Sequence, residues 1–427
     1  MHSLKSSASR KVLFACLYFS EGAPIGFLWL ALPTRLRSEE VPIEQITWLT
    51  AVLVIPWTFK FLWAPILDVL QSRRWTRRHW IVTAQSVMGI ALVPLLVLDP
   101  VQDFHWMAAA LLIHAFAAAT QDVAIDSLCI ALTEPQERGE INGWMQLGML
   151  LGRAGLGGGA LWLSPRIGDD AVVGLLILAT TFSMALVIFL APTAPKTSSA
   201  QKSENQLKRM WDSLRLALGE FRTWLGLLYA FLGGAAFKAL EVVYGPFLID
   251  RGFTEAEIGE FAALPMIGLM VLGALLGGRL SDRFGRRAFV AFSMLWICVA
   301  VVALAWSDRY YLEMRGNHLL ICLAAAAFGI GLFTSSSYAM FMDITNPAIA
   351  ATQFSAYMGM TNGCESWSTF AAGQIIADSG YSLAFLVMCG VSLAALPLLL
   401  GLAPETQQQT DEVNKNEAVG CVETHRI

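Results

Sequence analysis

Charge is what this sequence has least of. Only 15% of its 427 residues are Asp, Glu, Lys or Arg, against roughly 25% in a soluble domain, which excludes an ordinary water-soluble fold. No tract of basic residues interleaved with aromatics occurs, so nucleic acid is not an expected partner. The seven cysteines (Cys16, Cys129, Cys298, Cys322, Cys364, Cys389 and Cys421) are scattered, and all but the last fall inside apolar segments. Their spacing shows neither a disulfide framework nor a metal pattern. A nucleotide-binding loop, a zinc helix motif and a Gly-x-Ser-x-Gly elbow are all missing. Neither ATP-driven pumping nor familiar hydrolysis therefore finds its residues; no cofactor, metal site or enzymatic activity is expected. The basic N-terminus opens like a secretory signal, but the apolar stretch after it runs on to Pro33, contains Glu21 and Pro24, and offers no small-residue cleavage site. It reads as a retained first span.

Apolar length is what the sequence has in abundance. Hydrophobic residues make up 56% of the chain and the mean hydropathy is +0.56. Apolar runs of around 20 residues, each long enough for a hydrocarbon core of about 30 Å, recur from Val12 to Ala403. The predicted spans are 12–33, 44–67, 80–98, 106–133, 141–164, 172–191, 223–249, 258–280, 288–306, 318–345, 352–375 and 382–403. With an even number of spans both termini share one side. Outside the deep spans and Lys60, 20 lysines and arginines fall on that side and 6 on the other, so both termini are expected in the cytoplasm.

Between Pro192 and Arg222 the chain turns polar, in the only long connection it has, and this divides the spans six and six. From Leu207 on, Met210, Trp211, Leu214, Leu218 and Phe221 are spaced like an amphipathic helix on a membrane surface. Landmarks recur across the divide. Pro33 and Pro246 are 213 apart, Asp68 and Asp282 214, Pro135 and Pro347 212. The expected fold is therefore an all-α polytopic membrane protein with 12 transmembrane helices in two six-helix pseudo-repeat bundles. Its parts are an N-terminal bundle over 12–191, a cytoplasmic linker over 192–222, a C-terminal bundle over 223–403 and a cytoplasmic tail over 404–427.

The loop after the eighth span reads Gly278, Arg279, Leu280, Ser281, Asp282, Arg283, Phe284, Gly285, Arg286, Arg287. It resembles the signature loop of the major facilitator superfamily, and the resemblance implies a cytoplasmic gate made by Gly278, Asp282, Arg283, Gly285, Arg286 and Arg287, with Asp68 and Lys60 in the first half. The first half departs from that signature: after span two it reads KFLWAP (Lys60 to Pro65), then Asp68, with no glycine before its arginines. This form resembles the peptide and acetyl-CoA transporter branch, which includes the AmpG muropeptide permeases and the RhtX/FptX siderophore permeases. TQDVAID at Thr120 to Asp126, the sequence from Pro135 to Gly139 and ATQF at Ala351 to Phe354 resemble the same branch; YFSEGAP at Tyr18 to Pro24 and ALP at Ala31 to Pro33 look closer to the siderophore permeases.

An acid or base at mid-membrane costs about 2.5–3.5 kcal/mol on translocon scales, so such residues face a bundle interior and have a function. The deep candidates are Glu21, Asp122, Asp126, Arg153, Lys238, Glu241 and Glu365. By resemblance their spans line the pathway. Asp122 with Asp126, and Lys238 with Glu241, are spaced to share a helix face. Each set also has a structural reading: Lys238 and Glu241 as an internal ion pair, and the span-four acids with Gln121 as a brace against Arg153. His114 reads as a packing or hydrogen-bonding residue, Lys60 as a snorkelling gate or anchor, Asp343 as a solvated carboxylate, and the glycines from Gly148 to Gly159 as close-packing positions.

Five deep acids against two deep bases leave an excess of three negative charges, which favours a proton on one or more of them. Proton symport is the economical expectation, with Asp122, Asp126 and Glu21 as coupling acids. Arg153, Lys238, Glu241, Gln121, Glu365 and Asn362 are the expected substrate-binding residues, the guanidinium being suited to a carboxylate or phosphate. The expected function is proton-coupled uptake of a small organic, anionic solute such as a muropeptide or siderophore across a bacterial inner membrane. The expected partners are that solute, the coupling proton and the lipid bilayer, and the chain is expected to act as a monomer. An exporter of a drug or metabolite is the alternative within transporters, and a non-transporting membrane sensor the alternative outside them.

Overall fold

The structure is a computed structural model, and it describes residues 7–69, 75–133, 137–191, 212, 215, 219–310, 316–345 and 350–402. The predicted linker helix and the C-terminal tail lie outside the described residues, apart from isolated positions before residue 219. Among the described residues every long element is a helix, which bonds its backbone groups within itself where no water is at hand. Twelve helical spans follow in order: α1 (Ser7–Ser38), α2 (Ile43–Val69), α3 (Arg77–Leu96), α4 (Phe104–Leu132), α5 (138–167), α6 (Asp169–Leu190), α7 (Phe221–Asp250), α8 (Glu255–Phe284), α9 (Arg286–Tyr310), α10 (Asn317–Asp343), α11 (Ala350–Ser379) and α12 (Tyr381–Gly401).

Ten of these are both long and apolar enough to cross a membrane. The other two, α5 and α11, have the length but are less apolar, α5 through its glycines and charged residues and α11 through polar residues turned toward its neighbours. In α11 the buried or half-buried polar set includes Gln353, Asn362, Glu365, Ser366, Ser368 and Thr369.

The halves share a construction visible in their turns. Gly168 joins α5 to α6 with φ +87°, and Gly380 joins α11 to α12 with φ +84°. Both need the left-handed backbone that glycine adopts without strain. They are 212 residues apart, which matches the spacing of the proline and aspartate landmarks. In the first half α1 packs on α5 so closely that a Cβ on Gly148 would run into the carbonyl of Ala15; small residues let the two backbones touch.

The halves meet mainly where α2 lies along α11 and where α1 and α5 approach α7 and α8. Ser366 Oγ donates to the Ala51 carbonyl at 2.7 Å, and Asn362 Nδ2 to the Trp57 carbonyl at 3.3 Å. At the end of the bundle opposite the termini, Arg35 reaches Glu255 at 3.3 Å and Arg37 reaches Asp250 at 2.7 Å. Arg35 also holds Asp169 at 2.9 Å and Glu39 at 3.0 Å. These pairs tie the halves together at that end. At the terminal end the ion pairs among the described residues stay within one half: Arg10 with Glu137, Lys11 with Glu140, and Arg286 with Asp282 and Asp343.

Candidate functional site

Four helices lose their regular winding within their length. α1 has a π turn at Phe27–Ala31, α5 one at Ala154–Gly158 and α8 one at Ala262–Met266, while α7 breaks at Gly233 and Gly234. The π turns of α1 and α8 both touch that of α5. Pro24 and Pro265 each remove a backbone donor at or just before such a turn, and wide turns of this kind concentrate at functional sites. Two groups of deep charges lie among these helices and α2, α4 and α11.

The first group lies within the N-terminal half. Lys60 of α2 forms an ion pair with Asp122 of α4. Tyr18 of α1 donates its hydroxyl to Asp126 Oδ1 at 2.6 Å. Glu21, 3% exposed, is one turn further along α1 and feels the charges of Asp122, Lys60 and Asp126. Gln121 is buried beside them, and neither end of its amide has a hydrogen-bond partner among the described residues.

The placement of Lys60 corrects the sequence expectation in one respect. Its ammonium is turned inward by Asp122 instead of snorkelling to the loop, so Lys60 belongs with the coupling acids in space, and the deep excess of negative charge falls from three to two. The span-four acids are not braced by Arg153 either.

Arg153 instead faces the second half, where its Nη2 lies 3.6 Å from Glu241 Oε1 of α7. The two line one internal cavity of ≈ 50 Å³ with Trp29, Tyr244 and Met270. Lys238, one turn before Glu241, does not pair with it. Its Nζ is 2.5 Å from Glu365 Oε2 of α11. The other oxygen of Glu365 accepts the indole N–H of Trp29 from α1, and the Trp29 ring is held edge-on against Trp57, with centroids 5.8 Å apart. Asn362, one turn from Glu365, is spent on the Trp57 carbonyl.

Of the residues expected to form a gate, Arg286 makes the most contacts among the described residues. It bonds Asp282 at 3.1 Å, Asp343 at 2.7 Å and the Ala339 carbonyl at 3.0 Å, clamping the α8–α9 loop to the end of α10. Gly285, at φ +87°, makes the turn; Arg283 is exposed and lies over Phe284, Arg287 is half-buried, and Gly278 has open space on its Cα. Asp68 lies on α2 but its side chain is outside the described part. His114 is fully buried with Nδ1 3.1 Å from the Met88 carbonyl.

Sequence reasoning missed Trp29 and Tyr18 as partners of these charges, Trp57 as the ring packed on Trp29, and Arg35 and Arg37 as links between the halves. Only Tyr18 carried a signal, sitting three residues before Glu21 on the same helix face; the indoles are two of 14 tryptophans and have no distinguishing neighbours in sequence.

The Major Facilitator Superfamily profile matches residues 14–270 and 235–425. The anhydromuropeptide permease of Escherichia coli K12 is 27% identical over 415 residues, covering 95% of this chain and 82% of the permease. A putative transporter AmpG 4 of Rickettsia conorii is 23% identical, over 89% of this chain and 93% of its own. Among solved structures, a D-xylose–proton symporter superposes with a TM-score of 0.74 at 12% identity, over 94% of this chain and 99% of the symporter. The inward-open xylose transporter XylE from Escherichia coli gives 0.70 at 11% identity, over 93% and 97%. With twelve helical spans, a signature loop clamped by Arg286 and relatives that are permeases and not enzymes, the chain belongs to the major facilitator superfamily and is a multi-pass membrane transporter.

Proposed function

We propose that this transporter imports an acidic organic solute of the anhydromuropeptide class together with protons, across a bacterial inner membrane and with both termini in the cytoplasm. The observation that carries the proposal is the pair of deep cations at the junction of the halves, Arg153 of α5 beside Glu241 of α7 and Lys238 of α7 beside Glu365 of α11. A solute bearing carboxylates, as a muropeptide does, meets both cations at once and favours closure of the halves around it. The named relative from Escherichia coli supports the solute class. Coupling falls to Asp122, Asp126 and Glu21, three deep acids beside a single deep cation, Lys60, an excess of negative charge that favours a proton on one of them. The excess of basic residues on the side of the termini supports the orientation. Uptake of a labelled panel (anhydromuropeptide, siderophore, acyl-CoA and short peptide) into proteoliposomes under an imposed pH gradient tests this. Gradient-dependent accumulation of the anhydromuropeptide alone is expected; preference for another member of the panel, or accumulation indifferent to pH, overturns it.

A further inference from the structure

Glu365 is received like a ligand. Two donors from different helices, and from different halves, converge on its carboxylate: Lys238 Nζ on Oε2 and the Trp29 indole N–H on Oε1. Glu365 is buried, at 7% exposure, and so is Trp29, at 8%. Trp57 fixes the plane of the Trp29 ring, so the N–H direction is set by the protein. We propose that this is the receiving site for a substrate carboxylate, that Glu365 occupies it as an internal stand-in when substrate is absent, and that the incoming carboxylate displaces Glu365, which then takes up a proton.

The charge balance explains the exchange. Before binding, Lys238 and Glu365 neutralise each other. A substrate carboxylate that takes over Lys238 and the Trp29 N–H adds one negative charge to a water-poor site and strands a second on Glu365. Transfer of one proton from solvent to a Glu365 oxygen restores neutrality and removes the cost of an unpaired buried charge. One O–H bond forms on Glu365 and one breaks on the hydronium ion that gives the proton, leaving water. The other charged and titratable groups around the site are Glu241 on α7, Tyr338 on α10 and Cys364 beside Glu365 on α11; the sides formed by α1 and α2 offer the indoles of Trp29 and Trp57. None of these supplies a second cation to hold a displaced Glu365. Arg153 is engaged with Glu241. The exchange thus couples substrate binding in the second half to proton uptake there, in addition to the acids of the first half.

The proposal rests on the acidic-solute reading above, and the test separates the two. The full-length protein in lipid nanodiscs is titrated with an anhydromuropeptide and with its carboxyl methyl ester, reading affinity and, with an indicator dye in weak buffer, proton uptake. Wild type is expected to take up about one proton per bound acid beyond any taken up by the Glu365→Gln variant. It should bind the ester about tenfold more weakly, since a charge-assisted contact is lost. Glu365→Gln should bind the acid at least as tightly as wild type. Glu365→Asp keeps a titratable carboxylate and should retain the proton. Trp29→Phe keeps the ring but not the N–H, and should lose several-fold in affinity while keeping the proton. Equal proton uptake by wild type and Glu365→Gln, or weaker binding by a folded Glu365→Gln, overturns the exchange while leaving the solute class intact. Failure of wild type to bind either probe overturns the solute class, and the exchange for such solutes with it.

Discussion

Arg153 on α5 and Glu241 on α7 face each other 3.6 Å apart across the boundary between the two halves, with side chains 33% and 13% exposed. A pair this open adds at most about 1 kcal/mol to stability, so replacing the arginine reads out transport more than folding. Arg153→Lys keeps the charge and loses the two-pronged donor. Initial uptake of an acidic solute should fall by about tenfold, while the thermal unfolding midpoint of the purified protein moves by only a few degrees. Normal uptake by this variant assigns Arg153 a structural role beside Glu241 and nothing more.

Among the described residues, Asp122 is the ion-pair partner of Lys60. Asp122→Asn leaves an ammonium that is 28% exposed without its counter-charge, and the partial exposure limits the loss to about 1–3 kcal/mol. Thermal unfolding should show it, and Lys60→Gln added to Asp122→Asn should restore part of it. In transport, Asp122→Asn is expected to abolish pH-driven accumulation and to spare counterflow exchange, which needs binding but no net proton movement. If Asp122→Asn, Asp126→Asn and Glu21→Gln each still accumulate solute against a gradient, coupling lies elsewhere.

The sequence showed which charges are deep but not which charges meet. Spacing along one helix reveals neighbours such as Lys238 and Glu241, three residues apart, yet the partner Lys238 takes is Glu365, 127 residues away. That partnership depends on how α7 and α11 are rotated about their axes, which hydropathy leaves undetermined. Lys60 was open to two directions, since a lysine stem reaches either toward solvent or inward; the Asp122 carboxylate decided it. All twelve spans were read from apolar runs, and ten of them are long and apolar enough to stand on that ground alone. The π turns of α1, α5 and α8 left no periodic trace, because a single extra residue in a mostly apolar helix alters no pattern that can be counted.

The Arg35–Glu255 and Arg37–Asp250 pairs hold the halves together at the end away from the termini. Each is partly exposed and worth about 0.2–1 kcal/mol, so removing both arginines should shift the balance of conformations several-fold toward a state open at that end. Spin labels placed on α1 and α7 near those residues report this as a new, longer distance in pulsed electron resonance. An unchanged distance distribution in the Arg35→Ala/Arg37→Ala variant shows that the pairs do not hold that end together.

Two glycines of α5 should behave oppositely. A side chain at Gly148 collides with the α1 backbone at Ala15, whereas a Cβ at Gly155 has nothing within 4 Å. Gly148→Leu is expected to cost about 1–3 kcal/mol or more by overpacking, seen as loss of folded protein on size-exclusion chromatography. Gly155→Ala should be neutral or stabilising by a few tenths up to about 1 kcal/mol. Equal tolerance of both would show that α1 and α5 are further apart than the structure has them.

Proton movement driven by solute is the decisive observation. Proteoliposomes containing the purified transporter and a trapped pH indicator, with no initial pH gradient, are given an anhydromuropeptide from outside. Coupled entry through Asp122, Asp126, Glu21 and the Lys238–Glu365 site should acidify the lumen in step with solute uptake. Uptake of the same solute with no change in lumenal pH would contradict proton coupling outright.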